Sequence, residues 1–422
     1  MGIYLSLCLI LEFFWWNDLG HRFSYITATL IVISLAILPG IMISMNIIGC
    51  IFDKPRRRPI LKNWLNNITI LIAAYNEESS IYDTIKSISE QTSFPKKIYV
   101  KVIDNNSTDN TKKEIYRAIN DFPSLSIEYI FEEKQGKFAA LNAGLAKTNT
   151  ANVITLDADT FLYKDALLNI TNAFEFESSN KKVGAIAGTV FVKNSKKNLI
   201  TKMQAWEYLL ALTCIKRVQG LFQSTLVAQG AFSIFDTALL KQLGGWKDSV
   251  GEDIVLSWEI LSAGYNIYYE DQAICYTNAP TTLKAFTRQR ARWAAGMIEG
   301  FKHFKFKKCN NKYSRFFIFL DLFLILIDLS IVAFWIPGIV LALFQDYIIV
   351  GLLTLLLYPL TLIAFIVMFQ KEYRYVLKPL DIKVEKTFLS FFIFTFVYSI
   401  ILAPACIKGY ISETFNKKCK WK

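Results

Sequence analysis

Residues 24–52 carry no charged side chain until Asp53, and Lys54, Arg56, Arg57, Arg58 and Lys62 follow closely. About 20 apolar residues suffice to cross a bilayer. A basic cluster at one end places that end on the cytoplasmic side. Three further apolar stretches, 316–344, 347–369 and 388–408, close the chain, with a basic loop from Lys371 to Lys386 expected in the cytoplasm. Everything else must fold between these segments. If each closing stretch crosses once, the tail with Lys417, Lys418, Lys420 and Lys422 ends outside, against the charge rule. A broken or re-entrant segment near Pro337-Gly338 or Pro404 would remove the conflict. The earlier run Tyr4–Trp16 is short and contains Glu12. A tilted short span, a surface helix and a processed piece all remain open for it. A secretory signal is not indicated, because no basic residue precedes the run and no small-residue cleavage site follows.

From about residue 67 to 280 the pattern alternates strand with helix. Buried strands are expected at Ile68–Ala73, Tyr99–Ile103, Ser126–Ile130 and Asn152–Leu156. Ile81, Ile85 and Ile88 share one helical face, and a helix is expected from Lys137 to Ala146. Such alternation implies an α/β, Rossmann-like domain with a mainly parallel sheet, whose ligands lie at the carboxyl ends of the strands. Asp104 and Asp157 fall there. Residues 283–308 then mix Phe286, Trp293, Met297 and Phe301 with Arg288, Arg290, Arg292, Lys302 and Lys305, as in an amphipathic helix or two on a membrane surface.

The bulk numbers narrow the chemistry. Two histidines, His21 and His303, leave no Ser-His-Asp triad and no histidine-rich metal site. Seven scattered cysteines without CxxC spacing argue against a disulfide framework or structural zinc, and so for a reducing compartment. The formal charge of +12 suits anionic lipid or an anionic substrate. Nucleic acid is disfavoured, because the basic residues cluster beside apolar segments.

Five short blocks carry the functional signal. Asp157-Ala158-Asp159 can present carboxylates to a hard divalent ion, Mg²⁺ or Mn²⁺, that bridges phosphates; alone, two acids in a turn are more often solvated. Asp104 at its strand end can accept from a uracil or ribose, or cap the following helix. Tyr75-Asn76-Glu77 can line the other side of a nucleotide, and Lys137 can meet a pyrophosphate. Glu252-Asp253 follows Gly244-Gly245-Trp246, a loop expected to reach into the site. The pair can supply the base an inverting sugar transfer needs beside the acceptor hydroxyl. In Gln289-Arg290-Ala291-Arg292-Trp293, Arg292 can fork onto diphosphate oxygens and Trp293 can offer a flat face to a sugar ring.

This set resembles the family-2 processive β-glycosyltransferases, the poly-N-acetylglucosamine, hyaluronan, chitin and cellulose synthases, over about residues 65–300 and the flanking membrane segments. In size it looks closest to bacterial poly-N-acetylglucosamine and chitin-oligosaccharide synthases. The resemblance implies a GT-A-like cytosolic domain over 54–282 and an N-terminal membrane part over 1–53. Interfacial helices would occupy 283–312 and a transmembrane region 313–422. It implies that Asp104 contacts uridine, Asp157 the UDP-sugar and Asp159 the metal, with Asp253 as general base beside Glu252. Gln289, Arg292 and Trp293 would hold the acceptor end and pyrophosphate. Gln204, Glu207 and Tyr208 would lie near the acceptor channel, and Gly230-Ala231 in the loop before the base. A UDP-sugar donor, UDP-N-acetylglucosamine foremost, a growing polysaccharide, the plasma-membrane bilayer and a small membrane subunit are the partners implied. Two departures stand out. The family commonly has two adjacent acids at Asp104-Asn105, and often Thr at Gly251.

Overall fold

The structure is a computed structural model that describes residues 2–54, 67–91, 97–179, 181–304, 309, 311–355, 358–384 and 387–415, with side chains from residue 9 onward. Arg56, Arg57, Arg58, Lys62, Lys305 and the C-terminal lysines lie outside the described residues.

One eight-stranded sheet organises residues 68–277. Its strands are β1 (Ile68–Ala74), β2 (Ile98–Asp104), β3 (Ser126–Phe131), β4 (Asn152–Asp157), β5 (Thr160–Leu162), β6 (Val183–Val192), β7 (Phe232–Asp236) and β8 (Asn266–Thr277), in the order β3-β2-β1-β4-β7-β6-β8-β5. β1 is buried at every position and apolar except at Thr69, as suits a central strand covered on both faces. It pairs in parallel with β2 and β4, and β2 with β3. Ile81, Ile85 and Ile88 cover one face, and Leu141 and Leu145 of the helix Lys137–Ala146 the other. The expected parallel half is therefore present. The second half is mixed: β7 runs antiparallel between β4 and β6, and β6 pairs in parallel with β8. The fold is GT-A-like.

Strand register builds the site. β2 and β4 extend one residue beyond their apolar runs, so Asp104 and Asp157 are their last residues. They face Ala74 and Ala73 across the two edges of β1. Neighbouring strands lie about 4.8 Å apart, so these two acids flank one strand end.

Two continuous helices, Tyr25–Phe52 and Lys312–Leu343, are long and apolar enough to cross a membrane, and Phe388–Phe396 with Tyr398–Thr414 is a third candidate if that bent pair counts as one span. Only 28% and 17% of the most apolar windows of the first two are buried by protein. Ile26, Leu343, Phe344 and Phe388 stand open on these helices and beside them, as apolar side chains on a membrane or interaction surface do. Both long helices widen by one i→i+5 turn just before a Pro-Gly pair, at Ile33–Ile37 and Ile331–Trp335. The widened turn accommodates the proline without breaking the helix, so Pro337-Gly338 is not the expected interruption. The bend of 46° falls at Val397 instead, with Pro404 inside the second helix. Tertiary packing accounts for that placement. Tyr398–Thr414 lies against the helix Leu283–His303, so closely that a Cβ on Gly409 would stand 2.1 Å from the Ala291 carbonyl oxygen.

Arg217 fastens these parts together. Its guanidinium, 4% exposed, meets Asp53 at the end of the first long helix (3.1 Å), Glu372 at the end of Tyr358–Glu372 (2.7 Å) and Asp271 in β8 (2.5 Å). Arg217→Met would leave three carboxylates crowded without their cation. We expect a loss of about 3–5 kcal/mol, read as a lower thermal midpoint of the purified protein in lipid, with Asp271→Asn much milder.

Candidate functional site

A cavity of about 350 Å³ opens at the carboxyl edge of the sheet. It collects residues from distant parts of the sequence. Lys137, Asp157 and Asp159 border one region, Gly230, Ala231, Glu252 and Asp253 another, and Tyr208, Gln289, Arg292 and Trp293 a third.

Lys137 organises the first region. Its amine reaches Asp157 Oδ1 at 2.6 Å and Glu252 Oε1 at 3.2 Å, tying β4 to the helix Glu252–Ser262. Burial opposes the charge on Lys137, but the carboxylates of Asp157, Glu252 and Asp253 outweigh it and hold the amine protonated well above its usual range. Glu252 is pushed up, chiefly by burial and further by Asp253, although Lys137 pulls the other way. Asp253 accepts from the amide of Ile254 at 2.9 Å and, at 3.4 Å, from that of Gly230.

The loop before Asp253 is held from outside. Glu299 Oε2 accepts from the amides of Val250 (2.7 Å) and Gly251 (3.0 Å). A Cβ on Gly251 would fall 2.5 Å from Gly296 Cα, and one on Gly296 2.7 Å from Gly251 Cα. This close approach gives the glycine at 251, where the resemblance leads one to expect threonine, a steric reason. The Gly244-Gly245-Trp246 loop does not line the cavity as expected. Trp246 is buried against Phe235, and Asn142 holds its backbone at both N–H and C=O.

Asn105, the other departure, also has a reason. Its amide nitrogen donates to the carbonyls of Glu132 (3.2 Å) and Lys134 (2.7 Å), and its oxygen accepts from Gly136 N–H at 2.7 Å. A carboxylate could not donate to those carbonyls. The side chain thereby shapes the turn that leads into Lys137.

Several singled-out residues lie off the cavity lining. Asp104 is buried and accepts from Ser107 N–H (3.0 Å) and from the Tyr129 hydroxyl (2.9 Å). Asn76 accepts from the Thr108 amide at 2.8 Å, and the Glu77 amide donates to Thr111 Oγ1 at 2.8 Å. With Tyr75 they knit the loops after β1 and β2. Gln204 donates to Ile200 and Pro280 carbonyls, and Glu207 pairs with the buried Arg290 at 2.5 Å. Lys216, Thr189 and Tyr269 border the cavity and were not singled out from sequence. Glu299, also missed, acts through the Gly251 loop. Lys216 lies far from the acidic block Glu252-Asp253 in sequence, on a helix with no motif of its own, so no spacing signal marked it.

Asp157 and Asp159 are oxygen donors on one cavity wall, which suits a hard divalent ion. Among the described residues no group of three or more His, Cys, Asp or Glu side chains converges to hold an ion. A bound ion must then complete its shell with diphosphate oxygens and water, and the two carboxylates fit that arrangement.

Residues 66–296 match the family model described as glycosyltransferase like family 2. The chain belongs to this family of glycosyltransferases. It is 33% identical over 262 residues to the poly-beta-1,6-N-acetyl-D-glucosamine synthase of Staphylococcus epidermidis, covering 59% of this chain and 61% of that protein. The Staphylococcus aureus (strain COL) enzyme of the same name is 35% identical over 235 residues, 55% of each chain. The chain thus spans little more than half the length of these relatives. A mannosyltransferase from Pyrobaculum calidifontis, solved in complex with GDP-Man and Mn²⁺, superposes with a TM-score of 0.63 at 18% identity, over 97% of this chain and 100% of that one. That likeness extends the shared fold over the apolar helices.

Burial brings the Lys216 amine down to about 8, with Asp253 only partly opposing the shift. The cavity therefore loses a positive charge as pH rises through that value. Affinity for a nucleoside diphosphate is expected to drop a few-fold across this step, and titration calorimetry on Lys216→Met should show no such step.

Proposed function

We propose that this protein is a membrane-embedded, inverting, processive glycosyltransferase that extends a β-linked polysaccharide from UDP-N-acetylglucosamine. The observation that carries this reading is one cavity shared by the Asp157/Asp159 pair, the Asp253 carboxylate and the Trp293 ring. The named activity of the two staphylococcal relatives supports the sugar.

In this reading Asp253 takes the proton from an acceptor hydroxyl. The hydroxyl oxygen forms a bond to the sugar's anomeric carbon as the bond from that carbon to the diphosphate breaks, and UDP departs. A single displacement inverts the anomeric centre and needs no enzyme nucleophile. Lys137 keeps Glu252 and Asp157 oriented around the leaving group. Arg292 and Gln289 meet the diphosphate and the acceptor end, and Trp293 with Tyr208 offers aromatic faces to the growing chain. Gly230 and Ala231 form the loop that borders the base. Asp104 and Tyr75-Asn76-Glu77 shape the nucleotide end, and Gln204 and Glu207 brace the acceptor side. A divalent ion, Mg²⁺ or Mn²⁺, held by Asp159 and Asp157 would neutralise charge on the departing diphosphate.

The catalytic domain over 54–282 would face the cytoplasm. The segment 283–312 would rest at the plasma-membrane surface, with 1–53 and 313–422 in the bilayer and the product passing outward between the helices. A small membrane subunit is compatible with this arrangement.

Asp253→Asn is expected to abolish transfer while leaving UDP binding nearly unchanged; equal loss of both would assign the residue elsewhere. Trp293→Ala should shorten the product far more than it slows donor hydrolysis, as checked by sizing radiolabelled product made in lipid with UDP-N-acetylglucosamine. A product of one sugar on a lipid from the unaltered chain would replace polymerisation by single transfer.

A further inference from the structure

The block Gln289–Trp293 holds two arginines in opposite surroundings. Arg292 borders the cavity, whereas Arg290 is 1% exposed. Phe286 and Trp293 lie four residues before and three after Arg290, so all three share a helix face. The guanidinium carbon stands 4.0 Å from the Trp293 ring centre and 5.0 Å from that of Phe286. One nitrogen, Nη2, donates to Glu207 Oε2 at 2.5 Å, while Nε and Nη1 have no hydrogen-bond partner. A buried arginine with two unmet donors is costly unless something else stabilises its charge. Here aromatic faces do so, and the planar group has to lie flat to use them.

The helix face around it is itself packed against the last helix. Tyr398 of the last helix packs edge-on against Phe286 at 5.6 Å, and Gly409 presses on the Ala291 carbonyl. On the far side of Trp293 stands Tyr208, 6.4 Å between ring centres, and its chain neighbour Glu207 is the residue that anchors Arg290. The Glu207–Arg290 pair thus locks together the two segments that carry the two cavity aromatics.

We propose that Arg290 is a positioning residue that sets the plane of the Trp293 ring through stacking, with Glu207 as its anchor, so that Trp293 meets the acceptor sugar at a fixed tilt. This rests on the reading of Trp293 as an acceptor platform. Arg290 touches neither donor nor acceptor. It acts from behind the wall, and a lysine there keeps the charge for Glu207 but loses the flat group.

The test compares Arg290→Lys, Trp293→Leu and the double variant in the full-length protein in lipid, using UDP-N-acetylglucosamine and short β-linked acceptors. Arg290→Lys is expected to leave donor KM and donor hydrolysis within twofold, raise acceptor KM fivefold or more, and shorten the product. On the Trp293→Leu background it should add less than twofold. A matching fall in hydrolysis and transfer with acceptor KM unchanged would make Arg290 a mere scaffold residue and overturn the proposal. A second readout is independent of substrate. The fluorescence due to Trp293, taken as the difference between chains with and without that ring, should shift in Arg290→Lys, and an unshifted difference also overturns it. If that spectrum shifts while Trp293→Leu leaves acceptor KM unaltered, the platform reading fails and the positioning role stands. Should Arg290→Lys not fold, Glu207→Gln takes its place, with the same split in KM and the same spectral shift expected; absence of both sinks the idea.

Discussion

Backbone meets backbone where Gly251 faces Gly296, and most of the site depends on that contact. It brings the start of the helix Glu252–Ser262, with its two acids, against the middle of the helix Leu283–His303. Either residue with a side chain would hold the two elements apart by a tenth of a nanometre or more. Glu299 then locks the loop by accepting its two amides. The acids and the aromatic wall can therefore share a cavity only because no Cβ stands between their supports.

Charge burial gives the cavity its second constraint. Lys137 sits among Asp157, Glu252 and Asp253, and none of these would be tolerable in a half-closed pocket without the others. The cluster's counter-charges are those a sugar diphosphate and a divalent ion would reorganise. Arg217 repeats the device at the membrane end. It gathers acids from two apolar helices and from β8, and so ties the sheet to those helices.

The helix Leu283–His303 connects these two regimes. One side supplies Gln289, Arg292 and Trp293 to the cavity, and another packs along Tyr398–Thr414. That packing also explains the position of the bend at Val397. The last helix follows its neighbour rather than the direction of Phe388–Phe396, and Pro404 lies comfortably within it.

Local pattern alone determined a good deal. Predominantly apolar runs mark β1 and β4, because a strand covered on both faces has few positions for polar side chains. The helix Lys137–Ala146 begins and ends where its residues indicate. Carboxylates directly after such runs lie at the ligand-binding edge of a parallel sheet, so Asp157 and Asp159 were legible, as was the basic-aromatic block. Tertiary structure decided the rest, because it depends on which distant groups meet. Nothing near Arg290 in sequence announces Glu207, and nothing near Asn105 shows that three backbone groups of the 132–136 turn converge on its amide. Asp104 could take a ligand or cap the segment that follows, and only the fold showed that the Tyr129 hydroxyl and the Ser107 amide both donate to it. Period and composition report what one element needs to bury, whereas partners for buried charge and tolerance for a missing side chain are set by the neighbour across the gap.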